Sequence, residues 1–261
     1  MAAPGENLRI NGDRLWDSLM EMAKIGPGVA GGNNRQTLTD DDAKGRALFQ
    51  RWCEDAGCTM GLDTMGNMFA ERAGSDPEAL PIYVGSHLDT QPTGGKYDGV
   101  LGVLGGLEIL RSLNDLGIKT KHPIVVTNFT NEEGTRFAPA MLASGVFTGM
   151  HDQDWAYDRV DAEGKRFGDE LERIGWKGDE QVGARKMQAD GQGCPYGLDP
   201  HGYAGQCGPW YGTHHRGRAP RCHGPSARRS GGGGAGQCLS QFPQCDSRQG
   251  GVHHRYPVAG R

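Results

Sequence analysis

The sequence predicts an α/β fold in which a mixed central sheet is flanked by helices. Three observations point there: two compact apolar runs at 81–86 and 123–130, a glycine-bearing apolar helix between them, and two amphipathic helices ahead of the first run. Strand, loop, helix and strand over some fifty residues is a βαβ-like unit. Ligands collect at the C-terminal ends of the strands of such units.

Each element follows from local pattern. Leu15, Leu19 and Met22 fall at helical spacing, so 12–24 reads as an amphipathic helix ending before Gly26-Pro27-Gly28. Thr39 with Asp42 makes a capping-box pattern for a helix over 41–56, with Ala47, Leu48, Trp52 and Cys53 on one face. Residues 65–71 read as a short strand, and 81–86 as a buried one. A helix over 100–116 places Leu101, Leu104, Leu107, Leu110 and Leu113 inward, and Gly102, Gly105 and Gly106 let it approach a sheet closely. The apolar run at 123–130 is the second buried strand.

The formal net charge of −4 over 261 residues argues against a nucleic-acid binder or a membrane-surface protein. There is no run of about 18 apolar residues. The first residues lack the basic-then-apolar pattern of a secretory signal, so a cytoplasmic protein is expected. The averages conceal a break. From Asp190 onward there is no Lys, Glu or Ile, and five of the seven cysteines and six of the nine histidines crowd in. Two regions are therefore expected: 1–189 as a folded domain and 190–261 as a disordered tail too poor in apolar residues to build a core.

Two polar clusters sit at the ends of the paired strands. The first is Gly85-Ser86-His87-Leu88-Asp89-Thr90, running through Gln91-Pro92-Thr93-Gly94-Gly95-Lys96-Tyr97 to Asp98-Gly99. His87 leaves a strand directly, and the Asp89 carboxylate two residues on could accept its imidazole N–H and free the other nitrogen for a metal. Asp98 follows a glycine-rich turn and precedes a helix; taken singly it could be a simple N-cap, and His87 a satisfied core histidine. The second cluster is Asn131-Glu132-Glu133-Gly134-Thr135-Arg136-Phe137. Adjacent glutamates after a strand should point to different sides, one toward a metal and the other toward water; singly, they could be a solvated charge pair. Together the clusters offer imidazole and hard oxygen donors, suited to Zn²⁺ or to Mn²⁺, Co²⁺ and Ni²⁺ as substitutes. A bridging carboxylate sets two such ions about 3.5–4 Å apart.

The segments Gly85-Ser-His-Leu-Asp-Thr-Gln-Pro-Thr-Gly-Gly-Lys-Tyr-Asp-Gly-Val100 and Thr130-Asn-Glu-Glu-Gly-Thr-Arg-Phe-Ala-Pro-Ala140 resemble the signature segments of the M20 metallopeptidase-like superfamily. They are most similar to its hydantoinase/carbamoylase branch: N-carbamoyl-L-amino-acid hydrolases, β-ureidopropionase and allantoate amidohydrolase. Phe167-Gly-Asp-Glu-Leu-Glu-Arg-Ile-Gly175 is similar to that branch too. The resemblance covers roughly residues 7–189, the first portion of such a protein, and implies a zinc-exopeptidase-like catalytic domain. It implies that His87 ligates one of two divalent metals, Asp98 bridges both, and Glu133 ligates the second or shares it. Glu132 would be the general base and Asp89 would support His87. The implied reaction is hydrolysis of a linear amide or ureido C–N bond in a small molecule, an N-carbamoyl amino acid or N-carbamoyl-β-alanine. Allantoate hydrolysis, a peptidase of the same superfamily and a non-catalytic fragment are the alternatives.

The resembling pattern also has a metal-binding histidine in a Glu-Leu-His-Ile-Glu-Gln-Gly segment soon after the position of Ala189. Beyond it come a lid or dimerisation domain and a final metal-binding histidine. None is readable here: His201, His214, His215, His223, His253 and His254 stand in other contexts. The chain alone is therefore expected to be inactive, without the dimer contacts of the intact family. A shift of reading frame near residue 190, through mutation, a missed intron or a sequencing error, would account for the tail. Arg216-Gly-Arg-Ala-Pro-Arg-Cys-His-Gly-Pro225 can be encoded so that reading one nucleotide later gives Glu-Ala-Val-His-Pro-Gly-Ala-Thr-Gly-Pro, which is similar to the family's lid segment. A basic nucleic-acid arm or a zinc module is the weaker reading of the tail, because its cysteines and histidines lack paired spacing. The DNA across codon 190 decides it: an intact frame there would exclude the shift.

Overall fold

The computed structural model describes residues 8–185. The boundary near residue 190 and the tail beyond it lie outside these residues.

Helix α1 (Gly12–Met22) is capped by Asn11, whose side chain accepts from the Arg14 N–H, and buries Leu19 and Met22 as its spacing predicts. Helix α2 (Asp40–Asp55) starts where Thr39 accepts from the Asp42 N–H. Asp42 completes no reciprocal box; its carboxylate accepts the N–H of Leu38 at 2.8 Å and pairs with Arg46. The inward face of α2 is Gly45, Leu48, Phe49 and Cys53, with Trp52 partly buried, whereas Ala47 is exposed, one residue off the predicted stripe.

Four strands form one mixed sheet in the order β1-β2-β4-β3: β1 (Thr59–Leu62), β2 (Met68–Arg72), β3 (Ile82–Ser86) and β4 (Ile124–Asn128). Strand β1 pairs antiparallel with β2, and β2 antiparallel with β4, while β3 runs parallel to β4 with Ser86 opposite Asn128. Strand β2 begins three residues later than expected because 63–67 is spent on a turn: Asp63 accepts the backbone N–H groups of Met65 and Asn67. The expectation of two buried strands holds for β4 and fails for β3. Among the described residues β3 is a sheet edge, half-exposed along its length.

Helix α3 (Val100–Asp115) crosses from β3 to β4 and completes the βαβ unit. It buries Val100, Val103, Leu104, Leu107 and Leu110, while Leu101 is exposed and Leu113 only partly covered. A Cβ at Gly106 would lie 2.9 Å from Val126, so this glycine sets how closely the helix lies on the sheet. Gly105, also expected at that contact, faces open space. One apolar cluster joins α1, α2, α3 and the sheet. A second gathers Leu38, Met65 and Phe137 with α4 (Leu142–Phe147), α5 (Gln153–Tyr157) and α6 (Phe167–Arg173). Among the described residues no helix is long and apolar enough to cross a membrane.

Candidate active site

Because β3 and β4 are parallel neighbours, the segments that follow them leave the sheet side by side. Asn128, the last residue of β4, accepts the N–H of Leu88 at 2.8 Å and so fastens the segment carrying His87 to its neighbour. From the other side, buried Arg35 donates through Nε to the Leu88 carbonyl at 3.0 Å, and its main chain exchanges hydrogen bonds with Thr90. Nη1 of Arg35 donates to the carbonyls of Met22, at the end of α1, and Ile25, so fixed dipoles take part of the buried charge while Nη2 has no hydrogen-bond partner among the described residues. Gly99 precedes α3 at φ +67°, and a Cβ there would lie 2.4 Å from the His87 ring. Only glycine combines that backbone with that contact.

His87 is buried, and its Nδ1 lies 2.8 Å from the carbonyl oxygen of Asp89. A carbonyl can only accept, so Nδ1 carries a proton and Nε2 is the ring nitrogen that faces the site. The sequence reading assigned this task to the Asp89 carboxylate, which is 3.8 Å from Nδ1. That carboxylate accepts instead the backbone N–H groups of Glu132 at 3.3 Å and Glu133 at 3.2 Å. A buried carboxylate needs donors, and the two N–H groups beyond the end of β4 need acceptors.

The glutamates do not diverge as expected. Asn131 adopts φ +57° and bonds through its side chain to the Phe137 carbonyl, so the chain turns before Glu132 and the alternation of a strand no longer applies. Both carboxylates reach His87. Oε2 of Glu132 lies 3.2 Å from Nε2, and ligand atoms of His87, Asp98 and Glu133 all lie within 4.8 Å of one another. All five predicted site residues thus meet at one place, four of them acidic. Burial alone would lower the imidazole pKa, but the carboxylates of Asp89 and Glu132 outweigh it and hold His87 above its usual value. Burial pushes Asp89 up, to about 6, against the pull of His87.

A cation fits this donor set. Oε1 of Glu133 is buried and makes no hydrogen bond among the described residues, and buried Nε2 of His87 faces the Glu132 carboxylate at 3.2 Å. Both belong to the three residues whose ligand atoms converge, and nitrogen with carboxylate oxygen is the set a divalent metal takes. A concavity of about 810 Å³ lined by Arg14, Asp17, Trp52, Arg111 and Asp115 includes none of these groups. Sequence reasoning missed Arg35, Asn128 and Gln91 as supports. A buried arginine has no local sequence signal, although Gln91 lies inside the first cluster.

The parallel β3-α3-β4 unit carries these donors at its strand ends, and the model of Peptidase family M20/M25/M40 matches residues 83–194. The similarity extends to the hydantoinase/carbamoylase branch of that family. The chain is 77% identical over 189 residues to an N-carbamoyl-L-amino-acid amidohydrolase from Rhizobium meliloti, covering 72% of this chain and 45% of that protein. It is 33% identical over 143 residues to a ureidoglycolate hydrolase from Arabidopsis thaliana, covering 55% of this chain and 30% of that protein. The solved amidase of the hydantoinase/carbamoylase family from Burkholderia multivorans superposes with a TM-score of 0.68 at 56% identity, covering 69% of this chain and 44% of that one. The chain thus spans less than half the length of these relatives.

Proposed function

We propose that residues 1–189 supply part of a two-metal centre and the general base of a hydrolase that cleaves linear ureido C–N bonds, with an N-carbamoyl amino acid as substrate. The observation that carries this reading is the convergence of His87, Asp98 and Glu133 beside Glu132, with Oε1 of Glu133 buried and without a hydrogen bond. His87, Asp98 and Glu133 would hold the metals, Zn²⁺ first and Mn²⁺, Co²⁺ or Ni²⁺ as substitutes, with Asp98 shared between them. When bound, the metals supply Lewis acidity and make water a better acid at neutral pH.

Glu132 takes a proton from the water that attacks the carbamoyl carbon and delivers it to the departing nitrogen. The products are carbon dioxide, ammonia and the free amino acid. Asp89 holds Glu132 and Glu133 in place through their main-chain N–H groups, and its own carbonyl orients the His87 ring. The relatives named for N-carbamoyl-amino-acid and ureidoglycolate hydrolysis support a ureido substrate. The whole protein would supply the remaining metal ligands, the substrate contacts and any dimer interface from beyond residue 189.

A chimera tests the reading: residues 1–189 joined to the remainder of the Rhizobium meliloti relative, assayed with N-carbamoyl-L-amino acids, N-carbamoyl-β-alanine, allantoate and dipeptides. Turnover of an N-carbamoyl substrate by the chimera, abolished by Glu132→Ala and absent from the 261-residue chain, is the expected result. Preference for dipeptides or allantoate, or survival of activity in Glu132→Ala, would overturn it.

A further inference from the structure

We propose that Gln91 is a positioning residue of the metal site: it holds one oxygen of Glu133 so that the other is presented to His87 and Asp98. Gln91 Nε2 donates to Glu133 Oε2 at 2.9 Å. The second oxygen, Oε1, is the one left buried without a hydrogen bond. The carboxylate is therefore split into a satisfied oxygen and a donor atom, and the donor atom belongs to the residue trio whose ligand atoms converge within 4.8 Å.

The Gln91 side chain is exposed, but its main chain is held. Its carbonyl accepts from Thr90 Oγ1 at 3.1 Å and from the Gly94 N–H at 3.2 Å, and Gly94 exchanges two backbone hydrogen bonds with buried Asn33. Glu133 is thus fixed at both ends, its N–H on Asp89 and its carboxylate on Gln91. A glutamate left to itself samples many rotamers, and ordering it on binding costs affinity. A neutral amide donor removes that freedom without the charge of a lysine, which would compete with a cation. A single oxygen of Glu133 then faces the cation.

This inference rests on the metal-site reading, and the test separates the two. Co²⁺ is titrated to millimolar concentration into the 261-residue chain, followed by its visible ligand-field absorption, for wild type, Gln91→Met, Glu133→Ala and the double variant. Gln91→Met keeps the size and removes the donor. The expected result is a loss of affinity of about 10–100-fold with an altered absorption band in Gln91→Met, an unchanged melting temperature, and no further loss when it is added to Glu133→Ala. Gln91→Asn, too short to reach, should match Gln91→Met. Equal losses in both backgrounds, or weakening by Glu133→Ala alone, would overturn the role of Gln91 and leave the metal site standing. No saturable Co²⁺ signal in wild type would overturn the metal site and this role with it.

Discussion

The carboxylate of Asp89 accepts the backbone N–H of Glu133 at 3.2 Å, so the segment after β3 holds the segment after β4 by its main chain. The same carboxylate takes the N–H of Glu132 at 3.3 Å. Asp89→Ala leaves two N–H groups without their acceptor and should cost about 1–3 kcal/mol of stability. It should also weaken metal binding about 10–100-fold, as loss of a ligand-supporting group does. Urea unfolding and a Zn²⁺ titration of the same variant check both effects.

Gly99 has φ +67° and no room for a Cβ beside the His87 ring. Gly99→Ala should cost about 1–2 kcal/mol from backbone strain alone. Relief of the clash must also displace His87, so metal affinity should fall with stability. Thermal unfolding, with a drop of about 2–6 °C, and metal titration test this.

Arg136 ties the Glu133 segment to α6. It donates to Asp161 at 3.0 Å, Glu170 at 2.6 Å and the Thr37 carbonyl at 3.0 Å. Burial would raise both carboxyls; the Lys165 N–H and Arg136 hold Asp161 below its ordinary value of 3.8, and Arg173 with Arg136 holds Glu170 below 4.5. A depressed carboxylate adds stability that is present above the unfolded pKa and disappears as pH falls through the folded one. The melting temperature should therefore decline once pH drops below about 4.5. Arg136→Met should lose about 3 kcal/mol at neutral pH and flatten that acid limb, as thermal scans from pH 3 to 7 would show.

Strand β3 carries no charged residue, and among the described residues nothing pairs with its outer edge. An open apolar edge invites pairing with another chain. The 261-residue chain should self-associate as concentration rises, and Ile82→Lys, at a position 44% exposed, should suppress this in sedimentation velocity without lowering the melting temperature. A monomer at all concentrations would contradict it.

The βαβ unit and both clusters were legible because each rests on a contiguous run: apolar strand, glycine-rich turn, apolar helix. Strand β1 was not legible, since Thr59–Leu62 is short and half-exposed and reads like a turn. Helices α4 to α6, of five to seven residues, complete too few turns to show a period. Ala47 and Leu101 were assigned inward because an apolar residue at nearly the right phase looks like a core residue, yet both are exposed while Phe49 and Val103 are buried. The convergence of Glu132 and Glu133 was hidden because a left-handed asparagine breaks the alternation that a strand would impose. The acceptor for the His87 N–H was misassigned within the right residue: spacing selects Asp89, and only coordinates separate its carbonyl from its carboxylate.

Equilibrium dialysis of the 261-residue chain against Zn²⁺, with bound metal counted by atomic emission in wild type, His87→Ala and Glu133→Gln, addresses the metal site most directly. Saturable binding in wild type, lost in both variants while their circular dichroism is unchanged, is the predicted result. No saturable binding, or equal binding in all three, would contradict the assignment of His87, Asp98 and Glu133 as metal ligands.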